Sequence, residues 1–231
     1  MTTTTTASEA QRNITAFWSM VAPGYEAHHN VPEFDSPLHH AWVAAVRELI
    51  PEPADALDLA TGTGFVAMIL AALGHRVTAV DLSADMLDLA TSTAGQRGLR
   101  IRFLSDDAVA PGFEPASFDV VTNRHFLWTL REPDRALANW RRLLRPGGLL
   151  IAFDGFWFDP EPGPHDHEPE PFRRHYTAAT RAELPFMHLD RGDPIVAAMD
   201  RTGFSDITLT TLEHLTGGSG QGVPYRITAR A

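Results

Sequence analysis

Gly62-Thr63-Gly64-Phe65-Val66-Ala67 sets two glycines and a small residue at G-x-G-x-x-G/A spacing, between a strand-like run and an apolar helix-like run. Glycines in such a turn let the backbone bend sharply and approach a ligand with no Cβ in the way. Asp81 closes the next strand-like run, where a carboxylate can accept hydrogen bonds from both hydroxyls of a ribose. Together these residues point to an adenosine-containing ligand, although an ordinary tight turn between strand and helix uses the same pattern. Asp58, four residues before Gly62, narrows the choice. A helix N-terminus behind a glycine turn stabilises a pyrophosphate through free N–H groups and the helix dipole. A carboxylate beside it would repel that dianion and suit a cation, such as a sulfonium carrying an amino-acid end.

The elements that must position these groups alternate strand and helix, the pattern of a parallel sheet with crossover helices. Strands are expected at Ala54–Ala60, Arg76–Val80, Arg100–Leu104, Phe118–Thr122 and Leu149–Phe153, and again at Ile207–Leu212 and Tyr225–Ala229. Helices are expected at Phe65–Leu73, at Ser83–Gln96 with Ser83 as its cap, at Asp134–Leu144 and at Asp193–Thr202. Pro146-Gly147-Gly148 should stop the third of these, and Gly217–Gly222 should form the last turn region. The fold class is therefore α/β, a Rossmann-like mixed seven-stranded sheet with helices on both faces. Four segments follow: an N-terminal helical lid (1–50), a cofactor-binding half (51–154), an inserted cap over the acceptor site (155–192), and a C-terminal helix with the last two strands (193–231). The cap holds six of the 17 prolines and is rich in aromatics; a long insertion in a compact domain is commonly functional.

Composition excludes several classes. The chain has 231 residues, 19 basic and 29 acidic, for a formal charge of 19 − 29 = −10. With no cysteine, a disulfide framework, a thiolate nucleophile and a Cys-ligated metal are out. The apolar run around Val66–Leu73 falls far short of the roughly 18 residues that span a bilayer, and Thr2–Thr6 lacks the basic and apolar start of a secretory signal. A cytoplasmic location and no membrane partner are expected. The acidic balance argues against nucleic acid, whose phosphates call for Lys and Arg. His165-Asp166-His167-Glu168 lies in a Pro-rich loop without the spacing that gathers ligands, so no metal is expected.

Ala56-Leu57-Asp58-Leu59-Ala60-Thr61-Gly62-Thr63-Gly64, followed by Val77-Thr78-Ala79-Val80-Asp81-Leu82-Ser83, resembles the first two motifs of class I S-adenosylmethionine-dependent methyltransferases. Asp106-Asp107-Ala108, Phe118-Asp119-Val120-Val121 with Asn123, and Leu143-Leu144-Arg145-Pro146-Gly147-Gly148 resemble the later landmarks. The likeness covers residues 40–154 well and 193–231 loosely. It implies S-adenosyl-L-methionine as cofactor, with S-adenosyl-L-homocysteine as product. Gly62, Gly64 and the backbone near Ala60 would line the methionine part. Asp81 would hold the ribose, and Leu82 and Met86 would flank the adenine. Asp107, or Asp106 as second choice, would accept from the adenine amine beside Ala108, with Asn123 also at the cofactor. Asp58 would act through water or orient the loop. Paired Asp residues also serve plain turn chemistry.

Methyl transfer is an in-line displacement at carbon, and the protein mainly aligns the nucleophile and excludes water. A base is needed only when the nucleophile must lose a proton. Tyr25 and His29, four apart, would share a helix face and could relay one; His125 is a second candidate base. Phe17, Trp18 and Tyr25 resemble the aromatic N-terminus of small-molecule members of the family. Trp128, Trp157 and Tyr176 would add flat walls to an acceptor pocket. Packed aromatics with surface histidines account for the same spacings. Asn123-Arg124-His125-Phe126 departs from the Asn/Asp-Pro-Pro-Tyr/Phe motif of methyltransferases that act on base amines and planar amides. The expectation is a methyltransferase of secondary metabolism, a monomer or homodimer, acting on a small aromatic or heteroaromatic, indole-like acceptor at N, C or O. The alternatives are an NAD(P)-dependent oxidoreductase using the same glycine turn and a non-catalytic cofactor-binding subunit.

Overall fold

The computed structural model describes residues 8–25, 31–158, 168–212 and 223–231. Seven strands form one sheet: β1 Asp55–Leu59, β2 Arg76–Asp81, β3 Ile101–Ser105, β4 Phe118–Arg124, β5 Leu144–Phe156, β6 Ser205–Thr211 and β7 Val223–Arg230. Their order is β3-β2-β1-β4-β5-β7-β6, with every pairing parallel except those of β7. The order reverses direction between β1 and β4, and the crevice above such a switch point is where open α/β sheets hold ligands. The helices are α1 Glu9–Val21, α2 Pro37–Leu49, α3 Phe65–Ala72, α4 Ala84–Gln96, α5 Pro133–Leu143, α6 Glu170–His175, α7 Ala178–Ala182 and α8 Asp193–Arg201. None of the described helices is long and apolar enough to cross a membrane.

The two faces of the sheet follow from its period of two. Ala56, Val120, Ile151 and Phe153 turn one way and pack with Trp42 of α2 and Val66, Ile69 and Leu70 of α3. Leu57, Leu59, Val121 and Leu150 turn the other way, onto Leu137 and Trp140 of α5 and Ile195 and Met199 of α8. β5 begins at Leu144 and runs through Pro146-Gly147-Gly148, because Leu144 already pairs with Phe118 before the register shifts at Val120. β4 extends two residues past the expected Thr122, to Arg124.

α1 packs against α4, α6 and α7 and is anchored at several points. Arg131, only 8% exposed, donates through its guanidinium to Ser8 Oγ at 2.9 Å and Gln11 Oε1 at 3.0 Å. Ser19 Oγ meets Ser83 Oγ at 2.8 Å, tying α1 to the cap of α4. Asn13 reaches Thr180 of α7 at 3.3 Å, and Phe17 packs edge-on against Phe172 and Tyr176. The N-terminal segment and the segment after β5 thus close on each other through an aromatic cluster.

Candidate active site

The turn after β1 is built from left-handed residues: Ala60 at φ 49°, Gly62 at 55° and Gly64 at 85°. Gly64 is required twice over. A Cβ there would stand 3.2 Å from Ala90 Cβ of α4 and from Met68 Cε, so its absence lets two helices approach. Gly62 meets nothing within 4 Å and lines an open cleft. Asp58 is buried in β1 and does not line that cleft. Its carboxylate accepts from Thr61 Oγ1 at 2.6 Å and Thr122 Oγ1 at 2.7 Å, which fixes the turn against β4. Burial pushes its pKa up to about 6 against those two hydrogen bonds and one from the Ala67 N–H. Of the two roles expected for Asp58, the geometry is that of a loop-orienting group.

Asp81 ends β2 facing the turn. Its Oδ2 accepts from Gly62 N–H at 2.8 Å and its Oδ1 from Ser83 N–H at 2.9 Å. Each oxygen retains a lone pair for a further donor, and burial raises its pKa. Leu82, Met86, Asp107 and Ala108 continue the cleft wall from Asp81. Asp107 Oδ1 accepts from Val109 N–H at 2.9 Å. Asp106 does not line the cleft: its two oxygens accept from Asp107 and Gly112 N–H, each at 2.8 Å, so it shapes the turn.

Beyond Ala60 the cleft passes beneath α1 and is walled by Trp18, Tyr25, Arg124, His125, Phe126 and Thr129. His125 holds a left-handed backbone, φ 54°, with its N–H donating to Phe153 O at 2.8 Å. Such a conformation is costly for a residue with a Cβ and gathers at functional sites. The ring meets Trp157 edge-on, centroids 5.0 Å apart. Tyr25 packs edge-on against Trp18 at 5.9 Å.

Several expected site residues lie elsewhere. Phe17, Trp128 and Tyr176 are buried within the aromatic cluster and do not line the cleft. Tyr176 stacks on Phe172 with centroids 4.3 Å apart, and its hydroxyl meets Thr129 Oγ1 at 2.9 Å and accepts from Trp18 Nε1 at 3.1 Å. It therefore holds two cleft residues from behind, and its burial raises its pKa. Trp157 also stands behind the wall, against His125. Asn123 is fully buried on the sheet face opposite Asp58, and its amide has no partner among the described residues. Gly64 is structural rather than lining. His29 and residues 165–167 lie outside the described residues. Among the described residues, Asp35, His39 and His40 could offer three metal-ligating atoms within 4.8 Å of one another; these residues are absent from the cleft wall.

Sequence reasoning missed two groups. Arg124 lines the cleft at the end of β4, at the carboxyl edge where ligands bind in such sheets. Asp154 of β5, 2% exposed, gathers four N–H donors. Leu127 and Trp128 donate to its Oδ2 at 2.6 and 3.4 Å, while Gly155 and Trp157 Nε1 donate to its Oδ1 at 2.8 Å each. Burial still pushes its pKa up to about 6. Asp154 thereby fixes the segment after β4 and orients Trp157 behind His125. Only its place at the end of an apolar run could have signalled it.

A parallel sheet with one reversed strand, a glycine turn and an acid at the tip of β2 defines an α/β fold for an adenosine-bearing cofactor. A sequence profile for a methyltransferase domain matches residues 57–152. The demethylmenaquinone methyltransferase of Renibacterium salmoninarum is 32% identical over 178 residues, spanning 74% of this chain and 67% of that protein. That of Thermus thermophilus is 35% identical over 147 residues, 63% of this chain and 66% of that protein. In Thermus and two other relatives of that description, the match spans 66%, 58% and 44% of their lengths, less than two thirds of each. Among solved structures the cyclase SpnF superposes with a TM-score of 0.70 at 17% identity, covering 97% of both chains. At that identity the likeness is one of fold alone. The chain belongs to the class I S-adenosylmethionine-dependent methyltransferases, whose methyl donor is S-adenosyl-L-methionine. Membership in that family sets aside the nicotinamide oxidoreductase alternative.

Proposed function

We propose that this chain transfers a methyl group from S-adenosyl-L-methionine to a small aromatic acceptor, releasing S-adenosyl-L-homocysteine. One observation carries the proposal: a single cleft runs from Asp81 and Asp107, past the glycine turn, to Tyr25 and His125 under an aromatic lid. Asp81 takes the ribose hydroxyls on its two remaining lone pairs, Asp107 takes the adenine amine, and Leu82 and Met86 flank the base. The sulfonium then lies near Gly62 and Ala60, with its methyl directed toward the α1 side.

At that end the chain has little bond chemistry to perform. A nucleophilic carbon, nitrogen or oxygen of the acceptor attacks the methyl carbon in line, and the C–S electron pair returns to sulfur. α1 and the cap exclude water and hold the two reactants in register. Tyr25 or His125 accepts the proton that a phenol, quinol or ring N–H must lose. An aromatic ring suits the Trp18 and Phe126 walls. The relatives' names add weight to a bicyclic acceptor, since demethylmenaquinone is a naphthoquinone; an indole-like ring has a comparable flat outline.

The test is transfer of label from methyl-labelled S-adenosylmethionine to a panel of reduced naphthoquinones, indoles and simple phenols, read by mass spectrometry. Label in a ring compound is expected. Formation of S-adenosylhomocysteine only with peptides or RNA would overturn the acceptor assignment. Donor binding with no transfer to any acceptor class would favour the non-catalytic alternative.

A further inference from the structure

Arg124 presents a cation to the cleft with no carboxylate of the described residues paired to it. It ends β4 and lines the cleft with Ala60, Gly62, Tyr25 and His125. Leu59 pairs with Asn123, so Arg124 falls beside Ala60 and shares the sheet face of Asp58, Thr122 and α3. Its guanidinium carbon lies 4.8 Å from the ring centre of Phe65, the first residue of α3, and 5.5 Å from that of Trp42. Two rings support the body of the cation but offer it no oxygen. Nε is buried without a hydrogen-bond partner, and no described carboxylate lies within ion-pair distance of the group. Facing it are the Tyr25 phenol and two buried acids that are committed elsewhere, Asp58 to the Thr61 and Thr122 hydroxyls and Asp154 to four N–H groups. An arginine keeps its charge, so this half-buried cation, with no carboxylate of the described residues paired to it, attracts an anionic group that enters the cleft.

We propose that Arg124 is the carboxylate receptor of this cleft, and that the amino-acid end of the methyl donor fills it; this rests on the donor assignment above. A carboxylate matches the planar fork of a guanidinium through two parallel hydrogen bonds. One arginine balances one negative charge. A phosphate dianion would be left over-charged in a cleft that also holds Asp81 and Asp107. The location selects the donor's own carboxylate over one on the acceptor. With the ribose on Asp81 and the sulfonium past Gly62, the amino-acid end reaches the first turn of α3, where Phe65 and Arg124 stand. An acidic acceptor carries the same chemistry and is the other source.

Calorimetric titration of wild type, Arg124→Met and Arg124→Lys with S-adenosylhomocysteine and with 5′-methylthioadenosine, which lacks the amino-acid end, separates these cases. Arg124→Met keeps the stem that covers Phe65 and Trp42. It is expected to weaken S-adenosylhomocysteine roughly 10- to 150-fold, the range for a hydrogen bond to a charged group. Methylthioadenosine should change less than about threefold, and Arg124→Lys should recover part of the loss. If S-adenosylhomocysteine binding is unchanged, a hydroxybenzoate and its parent phenol are compared as acceptors. A KM that rises in Arg124→Met for the acid alone would assign the carboxylate to the acceptor. No change in either comparison overturns the proposal while leaving the donor assignment intact. A wild-type chain that binds neither nucleoside overturns the donor assignment, and this one with it.

Discussion

Replacing Asp81 by Asn tests the cofactor geometry at the atom where it is most demanding. Both carboxylate oxygens already accept a backbone N–H, Oδ2 from Gly62 at 2.8 Å and Oδ1 from Ser83 at 2.9 Å. An amide has one acceptor oxygen, so its NH2 must face one of those two donors. The displaced N–H then loses its partner, at about 1–3 kcal/mol, and the ribose loses one charge-assisted bond of about 1.5–3 kcal/mol. The first term falls on the fold and the second on binding. Asp81→Asn should therefore weaken S-adenosylhomocysteine by about 10- to 150-fold, since 1.4 kcal/mol is tenfold. It should also lower unfolding free energy by about 1–3 kcal/mol. Calorimetric titration gives the first quantity and urea unfolding without ligand gives the second. Affinity within threefold of wild type, with the fold destabilised as expected, would remove the ribose from Asp81 and refute this assignment.

Asp58→Asn is expected to change the pH dependence of stability. The folded pKa of about 6 lies above the ordinary 3.8, so the folded chain binds the extra proton and wild-type stability falls as pH rises from about 4 to 6, by roughly 3 kcal/mol from this group. The variant should lose that share of the slope, since Thr61 and Thr122 can turn their hydroxyls to suit an amide; superimposable urea midpoints from pH 4 to 7 would contradict it. Gly64→Ala should cost about 2–4 kcal/mol, from a left-handed backbone at φ 85° plus a Cβ forced against Ala90 and Met68. Gly62→Ala, with open space around it, should carry only the backbone share, and equal losses in the two variants would refute the packing argument. Tyr25→Phe should lower the methyl-transfer rate at least about tenfold with S-adenosylhomocysteine affinity within twofold of wild type; an unchanged rate would make Tyr25 a packing residue.

The glycine turn and Asp81 were legible because their chemistry is local: the spacing that defines the turn also places the acid at the neighbouring strand's tip. Boundaries of β1 through β4 came within two residues of the expected ones for the same reason, strong periodicity in a buried sheet. Arg124 escaped notice because the apolar pattern ends at Thr122, whereas backbone pairing with Phe153 carries β4 two residues further. The start of β5 was misplaced in a similar way, since Pro146-Gly147-Gly148 looks like a stop while Leu144 pairs across it. For the aromatics the obstacle is tertiary. Trp18 and Phe17 are adjacent on α1, yet one lines the cleft and the other fills the cluster, a choice made by Phe172 and Tyr176 more than 150 positions away. Asp154 depends on a still more distributed signal, four donors from two segments converging on one carboxylate.

A crystal structure of the chain grown with S-adenosylhomocysteine tests the central claim most directly. The ribose hydroxyls should lie on Asp81, the adenine amine on Asp107, the sulfur beside Gly62 and the amino-acid carboxylate on Arg124. The thioether should face Tyr25 and His125 across the remaining space beneath α1. Density for the nucleoside outside this cleft, or seated with its sulfur turned away from Tyr25 and His125, would contradict it.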